Sequence, residues 1–507
     1  MGSDTAYRPA VPVVDATKTY ETHAVDVIVV GGGNAGFSAA HAAAERGRRT
    51  VVLEKGAPDM AGGNSFYSAG ATRIDHGGLD DLVDFVEPDE RHARTEVPPY
   101  SSHEYAADLA EVSGGRNCPA LTEVLATEAQ ATVRWLHRLG LRYRLLYERQ
   151  AYERPDGTYL FFGGLHIGNV DGGQGLIADH ARVADRLGVK VRYSTAATDL
   201  IVEDGHVVGV SARTPEGPVQ WRGEAVILAA GGFEADPGWR RKHLGDGWEH
   251  AKVRGTPYNT GDMIAAALRA GAAKGGDWSS AHGVQWDACH PRNESNRALT
   301  NRLTRQSYPL GIIVNRDGQR FVDEGADFRN YTYARYGKDI LDQPGSIAYQ
   351  IFDSQMRPLL RAEEYDMPGV SVEVADTVED LARRIGVDGR NLAKTIGDFN
   401  ASIDLRVTFD PSVKDGRRAD ADPPKSNWSS PLERPPFFAY PVTCGITFTF
   451  GGLRGDSCGR VLDEGGEAIP GLYVCGEMLG GLFSGNYPGG SGLAAGMVFG
   501  RRAGALA

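Results

Sequence analysis

The order of apolar and polar positions divides the chain into short strands that run into glycine turns. Residues 25–30 (VDVIVV) are near-continuously apolar and of strand length, as expected for a parallel strand buried on both faces. They lead directly into Gly31-Gly32-Gly33-Asn34-Ala35-Gly36. Residues 37–46 are then an Ala-rich helical stretch broken at Gly47, and an apolar strand over 50–53 ends in Glu54. The step from apolar strand into small-residue turn recurs at 226–232 and at 471–477, so three discontinuous pieces are predicted to build one sheet. Helices are predicted near 120–140 and 174–187, and a hairpin at 199–203 and 206–210 around Asp204-Gly205. At the end of the chain, 489–496 reads as a glycine turn entering an Ala/Gly-rich helix. The helix N-terminus would face an anion or a carbonyl, or else the small residues serve helix packing.

From about 284 to 446 the pattern changes, with more Arg, Tyr, Asp and Pro and long polar loops such as 410–430, which reads as an inserted domain. The expected division is an N-terminal extension over 1–23, a nucleotide-binding domain over 24–283 and 447–507, and an insertion over 284–446. With 507 residues, 41% hydrophobic and 24% charged, the chain is long enough for several domains and too apolar for disorder. The 66 glycines follow no triplet period, which excludes collagen and points to close packing or ligand approach.

A formal net charge of −12 disfavours nucleic acid as a partner. Cys118, Cys289, Cys444, Cys458 and Cys475 contain no C-x-x-C pair, so no metal or iron–sulfur site and no disulfide framework is expected. The polar N-terminus lacks the features of a secretory signal, and no apolar run reaches the 18 or so residues of a membrane span. A cytoplasmic location is therefore expected, with no integral membrane segment.

Gly31, Gly33 and Gly36 form G-x-G-x-x-G between a strand and a helix. The spacing has a mechanism: a tight turn, a backbone able to touch a diphosphate at the helix N-terminus, and a close helix–strand crossing. Glu54, about 20 residues on, is placed to bind ribose hydroxyls. A dinucleotide is expected. NAD and FAD share this fingerprint, and the glycines alone do not choose between them.

Six ordered segments carry a resemblance over nearly the whole chain. They are the N-terminal glycines with Glu54, the G-G-N-S at 62–65, residues 229–232, Thr260-Gly261-Asp262, Cys475-Gly476-Glu477, and Gly485-Asn486-Tyr487-Pro488-Gly489-Gly490-Ser491-Gly492. In these the chain resembles the flavoprotein superfamily of succinate dehydrogenase and fumarate reductase subunits, L-aspartate oxidase and 3-ketosteroid dehydrogenases, most closely its tricarballylate dehydrogenases. The resemblance implies an α/β fold, a Rossmann-like FAD-binding domain with an inserted α+β cap. It implies FAD contacts at Gly31, Gly33, Asn34, Ala35, Gly36, Glu54, Lys55, Gly63, Asn64, Ser65, Gly70, Ala230, Gly231, Asp262, Glu477, Ser491, Gly492 and Leu493. Adenosine would lie at Glu54, the ribityl chain near Glu477 and the flavin near residues 491–493. Asn64 stands where covalent relatives carry the attaching histidine, so FAD would be held non-covalently.

The chemistry implied is oxidoreduction of a carbon–carbon bond next to a carboxylate or carbonyl, with hydride transfer to flavin N5 and a protein group taking the acidic proton. His290, in His290-Pro291, matches the family's substrate-binding histidine, and Arg329 matches its proton-transfer arginine, one residue further from Gly318-Gln319-Arg320-Phe321 than in fumarate reductases. Tyr308, Tyr331 and Tyr333 are alternative proton carriers, a phenol with a depressed pKa serving as base in ketosteroid-type relatives. Phe448 and Tyr487 stand where fumarate reductases carry a carboxylate-binding histidine and arginine, so a plain succinate or fumarate site is not expected. Carboxylate binding then falls on cap residues such as His290, Arg329, Arg292 or Arg305.

The favoured reading is a dehydrogenase forming a double bond in a tricarballylate-like di- or tricarboxylate, with a separate electron acceptor: a protein, a quinone or oxygen. The alternatives are an enoate reductase, a ketosteroid-type dehydrogenase with Tyr487 on a ketone, and a catalytically inactive flavin-binding subunit. Intact His290 and Glu477 weigh against the last.

Overall fold

The apolar strand that opens the pattern, Val27–Val30, is fully buried because it lies inside a six-stranded sheet with neighbours on both edges. The computed structural model describes residues 21–290 and 296–507. The order across the sheet is Lys190–Arg192, Thr50–Leu53, Val27–Val30, Ala225–Leu228, Ala468–Val474 and Arg460–Leu462; all pair in parallel except the last, an antiparallel edge. Val27 faces Thr50 on one side and Ala225 on the other, and Ile227 faces Tyr473. The three predicted pieces therefore do form one sheet. Strand order reverses between Val27–Val30 and Ala225–Leu228, and at such a point the two following loops diverge and open a crevice at the carboxyl ends.

Close approach dictates the glycines around that crevice. A Cβ on Gly31, whose φ is 110°, would lie 2.3 Å from the carbonyl oxygen of Ala229 in the next strand. The helix Asn34–Glu45 leaves this turn, and the last helix, Ser491–Leu506, packs across it. Gly496, Gly500 and Gly504 recur every fourth residue on the crossing face. A Cβ at Gly500 would stand 2.5 Å from the Ala35 carbonyl oxygen, and one at Gly504 2.0 Å from that of Ala39.

A second sheet faces the first across the crevice. Lys274–Asp287 pairs antiparallel with the 17-residue strand Phe437–Leu453, which continues to Ala348–Phe352 and Ile312–Val314. The expected boundaries at 283/284 and 446/447 fall within this ladder, where Gly283 pairs Ile446 and Val284 pairs Gly445. Two continuous strands thus tie the inserted segment to the rest. The insertion has its own apolar core, including Ile312, Ile351, Leu381, Ile396 and Phe399, apart from the core around the central sheet.

Outside these sheets, helices Pro119–Arg138 and Gly172–Arg186 lie where the periodicity places them. The predicted hairpin joins Ala196–Glu203 to His206–Thr214 through Asp204 and Gly205, both at positive φ as a two-residue turn requires. Glu21–Ala24 forms a parallel edge strand beside Gly217–Arg222, so the end of the expected extension belongs to a sheet, while 1–20 lie outside the described residues. Among the described residues no helix is long and apolar enough to cross a membrane, no group of His, Cys, Asp and Glu is arranged to hold a metal ion, and the five cysteines are free.

The crossing generates a prediction in which one substitution has opposite signs in two helices. Gly500→Ala forces the helices apart and should destabilise the protein by about 1–3 kcal/mol. Gly397→Ala lies in the helix Gly389–Ala401 with nothing within 4 Å of the added Cβ, and should stabilise by about 0.5–1 kcal/mol through backbone entropy. Thermal unfolding of both variants checks this; a Gly500→Ala protein as stable as the parent would exclude a tight crossing.

Candidate active site

The sheet ends, the two helix N-termini and the facing sheet enclose one cavity. Of the cofactor residues expected from the sequence, Gly31, Gly33, Asn34, Ala35, Glu54, Lys55, Gly63, Asn64, Ser65, Ala230, Gly231, Asp262, Glu477, Gly492 and Leu493 line it. Gly36, Gly70 and Ser491 do not, and the first two have packing reasons for their identity. A Cβ at Gly36 would lie 1.9 Å from the Gly31 carbonyl oxygen, and one at Gly70, 2.8 Å from the Gly172 backbone. Ser491 is fully buried as the first residue of the last helix.

The lining fits an extended dinucleotide. The helices starting at Asn34 and Ser491 have glycine N-caps, Gly33 and Gly490, with no capping side chain, and all four residues at or beside these caps except Ser491 open on the cavity. Uncapped N–H groups at a helix start are donors for an anion. At one end, the Glu54 carboxylate accepts from the backbone N–H of Gly32 at 2.8 Å and Gly56 at 2.7 Å, and burial pushes its pKa up. Lys55 beside it bonds Asp262 at 2.7 Å and Thr260 at 2.9 Å, drawing together two segments about 200 residues apart.

Asn34 joins both helix starts. Its backbone N–H donates to Ser65 Oγ at 3.1 Å, and its side-chain Nδ2 donates to the Leu493 carbonyl at 2.9 Å. Its Oδ1 must then accept, which assigns the proton of His180 Nε2, 3.0 Å away. His180 Nδ1 in turn accepts from His41 Nε2 at 3.0 Å. Burial keeps both histidines neutral, His41 lowered to about 3, so the relay holds one tautomer. Neither histidine was singled out by the sequence, because both sit in ordinary helical stretches.

A buried carboxyl pair stands at the centre. Glu477 faces the cavity; Glu234 lies directly behind it, and a Cβ at Gly232 would meet Glu477 Oε1 at 2.1 Å and Glu234 Oε2 at 2.8 Å. Glu234 Oε1 accepts from Asn259 at 2.6 Å and Asn64 at 2.7 Å, while Glu477 Oε1 accepts from the Thr449 N–H at 2.8 Å. Asn64 also donates to the Thr447 carbonyl and accepts from the Thr256 N–H at 2.8 Å, which spends its amide entirely on protein partners. Burial, and for Glu477 also the neighbouring Glu234, pushes both carboxyls above the usual range. Glu234 carries no motif in the sequence; only its adjacency to Gly231-Gly232 could have pointed to it.

At the opposite end Arg329, Tyr333 and Tyr487 share the wall with Phe448, Arg149 and Arg254. The Tyr333 and Tyr487 hydroxyls are 2.5 Å apart. Of the three tyrosines weighed as proton carriers only Tyr333 reaches the cavity; Tyr308 bonds Thr332 and Tyr331 bonds Asp108. Burial pushes Tyr333 well above its usual value and Tyr331 up to about 12, the opposite direction from the depressed phenol expected of a base. His290 is half-buried and off the cavity wall, its carbonyl accepting from Lys252. Pro291 and Arg292 lie outside the described residues.

The dense arginines of the insertion are mostly structural. Arg305 is fully buried against Asp287 at 2.6 Å, and Arg320 against Glu324 at 2.5 Å, so Arg305 is not available as a carboxylate binder. Arg149 and Arg254 replace it on the wall. Both lie before residue 284, outside the window in which the sequence directed attention.

The carboxyl pair generates a pH prediction. A carboxyl whose folded pKa is raised contributes its stability at low pH and loses it as pH rises through that raised value. Glu234→Gln keeps an uncharged side chain of the same shape. It should match the parent at pH 5 and unfold about 1–3 °C higher at pH 9. Parallel pH profiles of unfolding temperature would mean that the pair holds no shared proton.

Residues 26–493 match the family of FAD binding domains, FAD_binding_2. The chain is 30% identical over 495 residues to the probable fumarate reductase Ifc3 of Shewanella frigidimarina, covering 94% of this chain and 74% of that one. It is 27% identical over 569 residues to the 3-oxosteroid 1-dehydrogenase of Mycobacterium tuberculosis, covering 94% and 96%. Among solved structures, the open conformation of a flavocytochrome c3 fumarate reductase superposes with a TM-score of 0.70 at 26% identity, covering 96% of this chain and 78% of that one. The cavity fits the cofactor this family binds, and the chain belongs to the FAD_binding_2 family of the succinate dehydrogenase and fumarate reductase superfamily, as an FAD-dependent oxidoreductase acting on CH–CH bonds.

Proposed function

We propose that this protein is a dehydrogenase that introduces a carbon–carbon double bond next to a carboxylate in a di- or tricarboxylate, of which tricarballylate is the type. The observation that carries the reading is Arg329, 8% exposed on the cavity wall with no carboxylate in ion-pair reach among the described residues. A buried guanidinium without a counter-charge is costly, and a substrate carboxylate would relieve it. Bound FAD supplies the two-electron redox chemistry.

In this reading the residues divide the work by position. Gly31, Gly33, Asn34 and Ala35 hold the diphosphate, with Glu54 and Lys55 at the adenosine end. Glu477 takes the ribityl hydroxyls, backed by Glu234. Gly492 and Leu493, with Ser491 beneath them, present the N–H groups of the last helix to the flavin. Arg329 orients the carboxylate and relays the substrate's acidic proton, releasing one N–H proton outward to water as another nitrogen takes the proton from carbon, and the Tyr487 hydroxyl donates to an oxygen of the substrate. Residues 284–446 act as the cap that excludes water. A separate acceptor takes the electrons, and attachment of FAD is non-covalent because Asn64 offers no nucleophile.

The Tyr333–Tyr487 hydroxyl pair favours a second reading, in which the substrate is a ketone and the phenols polarise its carbonyl, as the 3-oxosteroid 1-dehydrogenase relative would require.

Two experiments decide. Anaerobic addition of tricarballylate should bleach the flavin absorbance of the parent, whereas bleaching by a 3-ketosteroid alone selects the second reading. Arg329→Gln should slow bleaching about 10²–10⁴-fold with a smaller effect on binding; an unchanged rate removes Arg329 from proton transfer. Acid precipitation should also leave all flavin in the supernatant, and yellow washed precipitate would show a covalent link.

A further inference from the structure

We infer that Arg254 anchors a second carboxylate of the substrate, so that the site is built for a molecule with carboxylates at two separate positions. The inference rests on the dehydrogenase reading above and goes beyond it by assigning a residue outside the cap. Arg254 lies on the cavity wall, 9% exposed, beside the short strand Lys252–Val253 that pairs with the long strand at Gly445–Ile446.

Its partners are neutral. One Nη donates to Thr447 Oγ1 at 2.7 Å and the other to Asn301 Oδ1, while the Nε–H is sealed from solvent with no acceptor among the described residues. A guanidinium carries five N–H donors, so Thr447 and Asn301 leave most of its capacity unused. No carboxylate among the described residues stands within ion-pair distance of it, whereas Arg305 and Arg320 each have one and Arg149 has two. The groups facing it are the Tyr333 and Tyr487 phenols, His282, kept neutral by burial, the like-charged Arg149, and Glu364. The phenols are held neutral by burial. Glu364 is already engaged by Arg361 at 3.0 Å, Thr304 at 3.1 Å and the Gln306 N–H at 2.8 Å.

Two buried cations on one cavity, Arg254 and Arg329, supplied by different parts of the chain, thus have no carboxylate partner among the described residues. Other buried arginines of this chain bond carboxylates or backbone carbonyls: Arg305 with Asp287, Arg320 with Glu324, and Arg240 with the carbonyls of Glu234 and Ala251. An arginine held by neutral partners at a cavity wall retains its positive charge for a ligand, and its planar fork matches a carboxylate. Arg254 also shares the cavity wall with Tyr487, which stands where fumarate reductases carry an arginine, and so supplies a cation to the site. It binds and orients the substrate and takes no part in moving hydrogen.

The test uses the FAD-loaded protein, with dissociation constants measured calorimetrically for tricarballylate, succinate and succinamate, the last being succinate with one carboxylate replaced by an isosteric amide. The parent should prefer succinate over succinamate by about 10–100-fold. Arg254→Gln, which keeps hydrogen bonds to Asn301 and Thr447, should lose that preference to within about threefold, bind tricarballylate about 10–100-fold more weakly, and retain its FAD. Arg254→Lys should recover part of the preference. Equal weakening for succinate and succinamate would mean that Arg254 only braces the wall and would overturn the inference, as would unchanged affinities in Arg254→Gln. A parent that binds none of the three acids but does bind a 3-ketosteroid would overturn the dehydrogenase reading along with it.

Discussion

The site depends on how closely two helices can pass. Gly496, Gly500 and Gly504 remove the side chains that would hold the last helix away from Asn34–Glu45, where an added Cβ would crowd the Asn34 amide at the first and overlap carbonyl oxygens at the other two. With that contact made, the starts of both helices open on the same crevice, and Asn34 bonds across from one to the other. A helix start offers free N–H donors over its first turn only. Two such starts can serve one extended ligand only if the helices are fixed in angle and offset, and close packing of small residues fixes both.

Charge burial then divides the cavity into two ends with different chemistry. At the cofactor end the buried acids are satisfied within the protein: Glu54 by two backbone N–H groups, Glu234 by Asn64 and Asn259, and Glu477 by Thr449. At the other end two of the three cations have no carboxylate partner among the described residues. Arg149 has Glu363 and Glu364, but Arg254 and Arg329 are held by amides, a hydroxyl and an aromatic face. Since an isolated buried charge is expensive, the acids are held by the protein's own donors whether or not a ligand is bound, whereas the unpaired cations mark where a ligand's charge completes the site.

This distinction also explains why residue density misleads. The sequence from 284 to 446 is rich in arginine and directs carboxylate binding to it, yet Arg305 and Arg320 neutralise Asp287 and Glu324 inside the insertion, and Arg297 lies over the ring of Phe66. The arginines that reach the cavity are drawn from three separate stretches, at 149, 254 and 329.

What the sequence determined by itself was everything encoded at short range. Unbroken apolar runs mark strands buried on both faces, the glycine spacing marks the turn beneath a diphosphate, and Asp204-Gly205 marks a hairpin, because each is set by backbone sterics within a few residues. Most of the expected cofactor residues accordingly lie on the cavity wall. Only the tertiary structure decided which polar side chains meet across the chain. Glu234 against Glu477, Asn34 with His180 and His41, Tyr333 against Tyr487, and Arg254 without a carboxylate are separated by up to hundreds of residues and carry no local pattern. His290, singled out by its neighbour proline, stands off the wall for the same reason: whether a side chain reaches a site depends on the path of strands that pair far apart in sequence, and on which counter-charges those strands bring with them.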